Sequence, residues 1–418
     1  MSSHNVRFYP YDQVPVSDTT WSLHTGPDGR IYSSACSEGR GGVAVVVARY
    51  NDEQDALEYV LDAADIPQDP PSAGRAAQCK IHYGFAPSPR EGILYAATHA
   101  SAPGAGEHHF NVNADWGDER KAFLGSILMA YDTREERMLW SRVFIPREGC
   151  RCLAYDDERR QFYAVGWPRN HFLVYHLDSG ELTDHGRIGS INPQAIWLDR
   201  IGRAYTTDDF GRILRYDPDA DRLEETPLYL PRSEFASGWH HVVYDAVAAP
   251  DGESIFGVSW TVQPHLFRHW PMDGPDGRIE DLGAGTQAER NRHHPISFFQ
   301  DHAGGLVFGA DGMLYYVAAR WDPSVTEARR RSDVDGHLIS LAQGIVMQLD
   351  PDTYERKEIA ELDRGDDKAA HYVSRGSMDR NGDLFFGNIL AVPSGIFRVE
   401  MNCPEPPGVD GLNLRMWG

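Results

Sequence analysis

Three things are scarce in this 418-residue chain, and each scarcity removes a class of explanation. Long apolar runs are missing: no window approaches the roughly 18 uncharged apolar residues that a membrane-spanning helix needs. Positive charge is short, with 40 Lys and Arg against 62 Asp and Glu and a formal net charge of −22. That balance argues against nucleic acid or an anionic membrane as a partner. Cysteine is sparse and odd in number, and Cys36, Cys79, Cys150, Cys152 and Cys403 form neither a disulfide framework nor the paired spacing of a zinc ribbon. The opening MSSHNVRFYPYDQV has no basic segment followed by an apolar core, so no export signal is written there and a cytoplasmic location is expected. The G-x-S-x-G, Walker and H-E-x-x-H motifs are absent as well, which removes the commonest hydrolase, nucleotide and zinc-protease readings.

What the chain has is a repeat. A turn followed by a strand bearing an aromatic recurs seven times, at Tyr32, Tyr95, Tyr163, Tyr205, Phe256, Tyr315 and Phe385. The aromatics are spaced 42 to 70 residues apart, room for four strands and variable loops. An amphipathic helical period is almost entirely missing. Seven such units predict an all-β fold, a seven-bladed β-propeller of four-stranded antiparallel blades in one domain over 1–418. Stacking around an axis covers the sheet faces that no single blade could bury. The strand near HNVRFYP is expected to complete the last blade, and the insertions at 100–124 and 321–343 are expected to be loops on one face.

Innermost strands of a propeller line its axis, so the residues on their shared rung are the candidate site. The hairpin KIHYGFAPSPREGILYAATH places His82 and His99 at equal distances from a tip between Arg90 and Glu91. Cross-strand partners are about 4.5–5.5 Å apart at Cβ, close enough for two imidazoles to act on one group. The same construction pairs Thr19 with Cys36, Cys150 with Trp167 (Arg151 beside them), Asn192 with Asp209, and His241 with Trp260. It also pairs His302 with Arg320 and Val373 with Asn388. Gathering so many polar side chains in otherwise apolar strands would cost roughly 1–3 kcal/mol for each left unpaired, and this favours a functional concavity. His293, His294 and His302 have the chemistry to hold Zn²⁺ or Mn²⁺. Asn192, Asp209 and Asn388 supply the oxygens of a lactonase-type Ca²⁺ site, though no glutamate joins them. A divalent cation is therefore the cofactor class to test.

With "KIH" on an inner strand and "LYAATH" on the next, the chain resembles the propeller uronate lyases, the ulvan and rhamnosyl-glucuronate lyases among them. The resemblance covers the whole architecture, and its specific motif is confined to the second blade. It implies β-elimination beside a uronic acid, an acidic oligosaccharide as substrate, and a cleft of two histidines with a tyrosine and an arginine from about one blade later. His82 and His99 match the histidine pair. The tyrosine position falls at Trp167, which carries no phenol, so Tyr163 or a histidine would have to take its part. Arg151 and Arg187 are the candidates for the arginine.

The residue types suit the chemistry. Removing a C5 proton beside a carboxylate needs that charge neutralised, a part open to Arg151, Arg187, Arg320 or Lys80. It also needs a base titrating near neutrality, which histidine provides. Trp167 and Trp260 offer faces for sugar rings. A glycoside hydrolase acting on the same linkage, which would want two flanking carboxylates, and a non-catalytic sugar- or protein-binding propeller are the competing expectations.

Overall fold

Seven antiparallel sheets of four strands follow one another along the chain, as the repeat predicts, with no α-helix among the described residues. The computed structural model describes residues 4–37, 43–100, 118–234, 240–286, 302–321, 342–366, 368 and 370–412. The first strand of each sheet packs against the first strands of its neighbours, and these innermost strands line the axis. They are Leu23–Thr25, Phe85–Ser88, Gly149–Asp156, Trp197–Leu198, Val242–Ala248, Ala303–Phe308 and Val373–Met378, for blades one to seven.

The repeat has a physical basis. All seven repeat aromatics are at most 1% exposed and pack between or within blades; Tyr32 lies 6.0 Å from Tyr131 and Phe256 5.5 Å from Phe308, centroid to centroid. Burial of a phenol needs a partner for its hydroxyl, and the turn preceding the strand supplies one. Tyr32 donates to Asp28 at 3.0 Å, Tyr205 to Asp199 at 2.9 Å and Tyr315 to Asp311 at 2.8 Å. The same turns place glycine at positive φ, as at Gly29 (77°) and Gly312 (78°).

These two glycines separate conformation from packing. A Cβ at Gly312 would meet nothing within 4 Å, whereas one at Gly29 would sit 2.8 Å from the Arg380 Cβ and 3.0 Å from Val409. Gly312→Ala is expected to cost about 1–2 kcal/mol in denaturant titration, the left-handed backbone term alone. Gly29→Ala should cost clearly more; equal losses would show that packing at Gly29 is not tight.

The ring closes as expected. Val6–Pro10 is the outermost strand of blade seven, paired with Gly395–Val399. Asp55, in the turn of blade one, clasps this seam: its carboxylate accepts from Tyr9 at 2.5 Å, Tyr50 at 2.6 Å and Arg398 at 3.2 Å, and pairs with Arg7.

Candidate functional site

The histidine pair is brought together, by a route the hairpin arithmetic did not contain. From Phe85↔Ala96 to Ser88↔Ile93 the register is the expected one. Beyond it the ladder shifts, and Lys80 rather than His82 is the bridge partner of His99. The shift occurs at Tyr83, whose φ is 43°, and Gly84, where a Cβ would sit 2.5 Å from the Ala97 carbonyl oxygen. This kink turns His82 back toward His99, and the two rings lie 5.3 Å apart.

The pair is the middle of a row of four rings. Trp21 stacks on His82 at 4.3 Å, and Trp167 lies 5.0 Å from His99 on the other side. Each imidazole is fixed through Nδ1: His82 to the Arg151 carbonyl at 2.8 Å, His99 to the Ala100 carbonyl. A carbonyl only accepts, so Nδ1 carries the proton in both rings and Nε2 carries the lone pair. Both Nε2 atoms are buried and have no hydrogen-bond partner among the described residues. Burial, followed by the positive charges of Arg151 and Lys80, pushes His82 well below the usual imidazole range. Burial and the same two cations do so for His99. Lys80 is itself buried, its ammonium 4.7 Å from the Trp21 ring centroid.

Around this pair the innermost strands share a defect. Register shifts fall between Cys150 and Cys152, Val243 and Asp245, Gly304 and Val307, and Val373 and Gly376. A bulge inserts one residue and re-aims its side chain. The residues so displaced include Arg151, Tyr244 and Arg375, none of which a regular ladder would direct in this way. Tyr244 donates to the Val373 carbonyl at 2.8 Å and lies 4.8 Å from His302. Arg375 lies over Tyr83 at 4.3 Å and pairs with Asp245. Sequence reasoning missed Trp21, Tyr83, Tyr244 and Asp245 and gave Arg375 no role; the only local signals were the glycines Gly84 and Gly305, the latter at φ 71°.

Other expected positions fall elsewhere. Tyr163 does not reach the histidines: it is fully buried beside Tyr216 and Phe172, its hydroxyl donating to the Gly202 carbonyl at 3.1 Å. Arg187 is exposed on an outermost strand and donates to Gly189 and Ser190 of its own loop. Arg320 is turned along its blade toward Glu358 (2.8 Å) and Glu361 (3.2 Å), and the bulge near Gly305 on the innermost strand makes Ala303↔Ala318 the rung.

His241 is one residue out of place. Val242 pairs with Trp260, so it is His240 whose ring meets Trp260, at 5.0 Å. Thr19↔Cys36 and Val373↔Asn388 pair as expected, and the Asn388 amide oxygen accepts from Arg364. Asn192 precedes its strand and gives its carbonyl to Gln194 at 3.0 Å, while Asp209 accepts from the N–H groups of Ser190 and Ile191. His302 uses Nε2 on the Val373 carbonyl at 2.9 Å. His293 and His294 lie outside the described residues, and among those described no three His, Cys, Asp or Glu side chains are grouped for a metal.

No family model matches the chain, and no curated relative matches it. Solved structures share its fold at low identity. The extracellular domain of a one-component system from B. thetaiotaomicron superposes with a TM-score of 0.54 at 13% identity, covering 94% of this chain and 39% of that one. This chain thus spans about two fifths of the length of that neighbour. Streptogramin B lyase gives 0.56 at 10%, over 95% and 97% of the two chains. The WD40 repeats of RRP9 give 0.55 at 10%, over 95% and 98%. At these identities the likeness is one of fold.

Proposed function

We propose that this propeller is a carbohydrate-active lyase that breaks a glycosidic bond beside a uronic acid by β-elimination, on a short acidic oligosaccharide or a chain end. Neighbours of the same fold carry names as different as lyase and WD40 repeat, so the reading rests on the site. The observation that carries it is the pair of tautomer-fixed imidazoles, each with a buried Nε2 lone pair that has no hydrogen-bond partner among the described residues, beside the cations Lys80 and Arg151.

In this reading Lys80 and Arg151 neutralise the uronate carboxylate, which makes the C5 hydrogen acidic enough to be taken. One Nε2 lone pair removes that proton. The C5–H electron pair forms the C4=C5 double bond as the C4–O4 bond breaks, and the imidazolium returns the proton to O4. One proton is taken and one delivered, so the imidazole is regenerated. Trp167, half-buried at the end of the ring row, supplies a face for a neighbouring sugar. The local positive charge also lets an acidic protein hold an anionic substrate, since beyond about 8 Å its net charge is screened at physiological salt.

Hydrolysis fits less well. It calls for two flanking carboxylates, and the Asp245 carboxylate is engaged by Arg375 and by the Leu306 N–H at 2.8 Å.

The test is a panel of 4-linked uronate oligosaccharides, rhamnosyl-glucuronate included, followed both by ultraviolet absorbance of the unsaturated uronate and by reducing-end release. Absorbance rising with reducing ends establishes elimination. Reducing ends without absorbance would replace it with hydrolysis, and silence across the panel would leave a binding propeller.

A further inference from the structure

Arg375, Asp245 and Tyr83 come from blades seven, five and two and meet beside the histidine pair. The Arg375 guanidinium donates to the Asp245 carboxylate and, at 3.1 Å, to the Gln194 carbonyl of blade four. Its face lies 4.3 Å from the centroid of Tyr83. The second Asp245 oxygen accepts from the Leu306 N–H of blade six at 2.8 Å. The two side chains are 11% and 2% exposed. A buried ion pair of this kind is often no more stabilising than apolar residues of the same volume, so stability alone does not account for its place on the axis.

Tyr83 gives it a purpose. A bulky residue at φ 43° is held in a conformation that surrounding structure must enforce. Its ring is pinned by Arg375 on one side, and it turns edge-on to His82 at 4.6 Å. The kink at Tyr83 is also what takes His82 off the ladder and toward His99. We propose that Arg375 is a positioning residue: anchored by Asp245 and Gln194, it clamps the Tyr83 ring and so fixes the His82 imidazole against His99. The clamp acts through Tyr83 and not on substrate.

This inference rests on the histidine pair being the site, and its test separates the two. In full-length protein carrying ¹⁵N-histidine, the His82 and His99 ring signals are assigned by single substitution and followed in Arg375→Met/Asp245→Asn, which removes both charges together. Folding is checked by thermal melting. The His82 signal is expected to move or broaden while the His302 signal stays. On any uronate the wild type cleaves, kcat should fall about 10–100-fold with KM changed less than about threefold. Arg375→Lys, which keeps the charge on Asp245 but loses the planar face, should keep the wild-type melting temperature and still show the displaced His82 signal.

Should the double variant fail to fold, Tyr83→Asn removes the clamped ring at a position whose backbone asparagine tolerates, and the same His82 displacement is expected. An unmoved His82 signal in a folded variant overturns the proposal, as does unchanged kcat in a wild type that cleaves. If the wild type cleaves nothing, the His82 signal alone decides: displacement upholds the clamp even as the lyase reading falls.

Discussion

If the proposed elimination is the activity, replacing either His82 or His99 by alanine is expected to lower its rate by about 10²–10⁴-fold, the range over which a positioned general base acts. The two substitutions should not be equivalent in stability. His82 is stacked between Trp21 and His99 and edge-on to Tyr83, so its removal opens a hole in an aromatic row. His99 lies at the Trp167 end, where one neighbour is half-buried. His82→Gln and His99→Gln, which keep an amide in place of the ring, serve as folded controls that still lack an imidazole base. Loss of turnover in all four, with melting temperatures kept in the glutamine variants, is the expected pattern. Activity surviving in both glutamine variants would sink the base assignment.

The second large effect is on stability in acid. His24, His82, His99, His269 and His302 are buried and neutral. Burial holds His24 down to about 4 and His269 and His302 down to about 3, with His82 and His99 also well below the usual range. An unfolded histidine titrates near 6.5. Because the folded values are lower, the unfolded chain binds more protons once pH drops below 6.5. Stability is therefore full above that value and is lost as pH falls. Each histidine contributes about 1.4 kcal/mol per pH unit, and the five together about 7 kcal/mol per unit at the steepest. Total stabilities are commonly about 5–15 kcal/mol, so unfolding is expected between about pH 4 and 6, with uptake of several protons.

His302→Gln, whose amide can still donate to the Val373 carbonyl, should move the midpoint to lower pH and remove one proton from the uptake. A fold unchanged to pH 4 would contradict the buried neutral set. The acid limb of any activity at the His82–His99 pair should follow this unfolding, since both imidazoles are themselves held well below the usual range.

Blade count, strand order and ring closure were legible in the sequence, because each depends on patterns that repeat, whereas most cross-strand registers were not: Gly149, not Cys150, pairs with Trp167. The Thr19–Cys36 and Val373–Asn388 rungs were legible for the same reason. The rest was hidden by single inserted residues. Since side chains alternate faces along a strand, one bulge exchanges inward for outward positions from that point on. This is how His302 lost Arg320 as its partner, how His241 left the rung and how Tyr244, Arg151 and Arg375 were re-aimed. Nothing in the local composition around Tyr244 or Arg151 announces a bulge. Tyr163 failed for a simpler reason: its position belongs to the repeat, and a repeat aromatic is committed to the contact between blades.

The pairing of Val6–Pro10 with Gly395–Val399 also governs when this protein can come into being. Every other sheet is built from strands that follow one another, so each can form from nearby chain. The seventh waits for two segments nearly the whole sequence apart, and bringing such ends together costs about 5 kcal/mol of chain entropy. Six blades form an open arc with exposed edges at both ends. Until Gly395–Val399 is available, Val6–Pro10 has no strand to pair with and the Asp55 seam lacks Arg398.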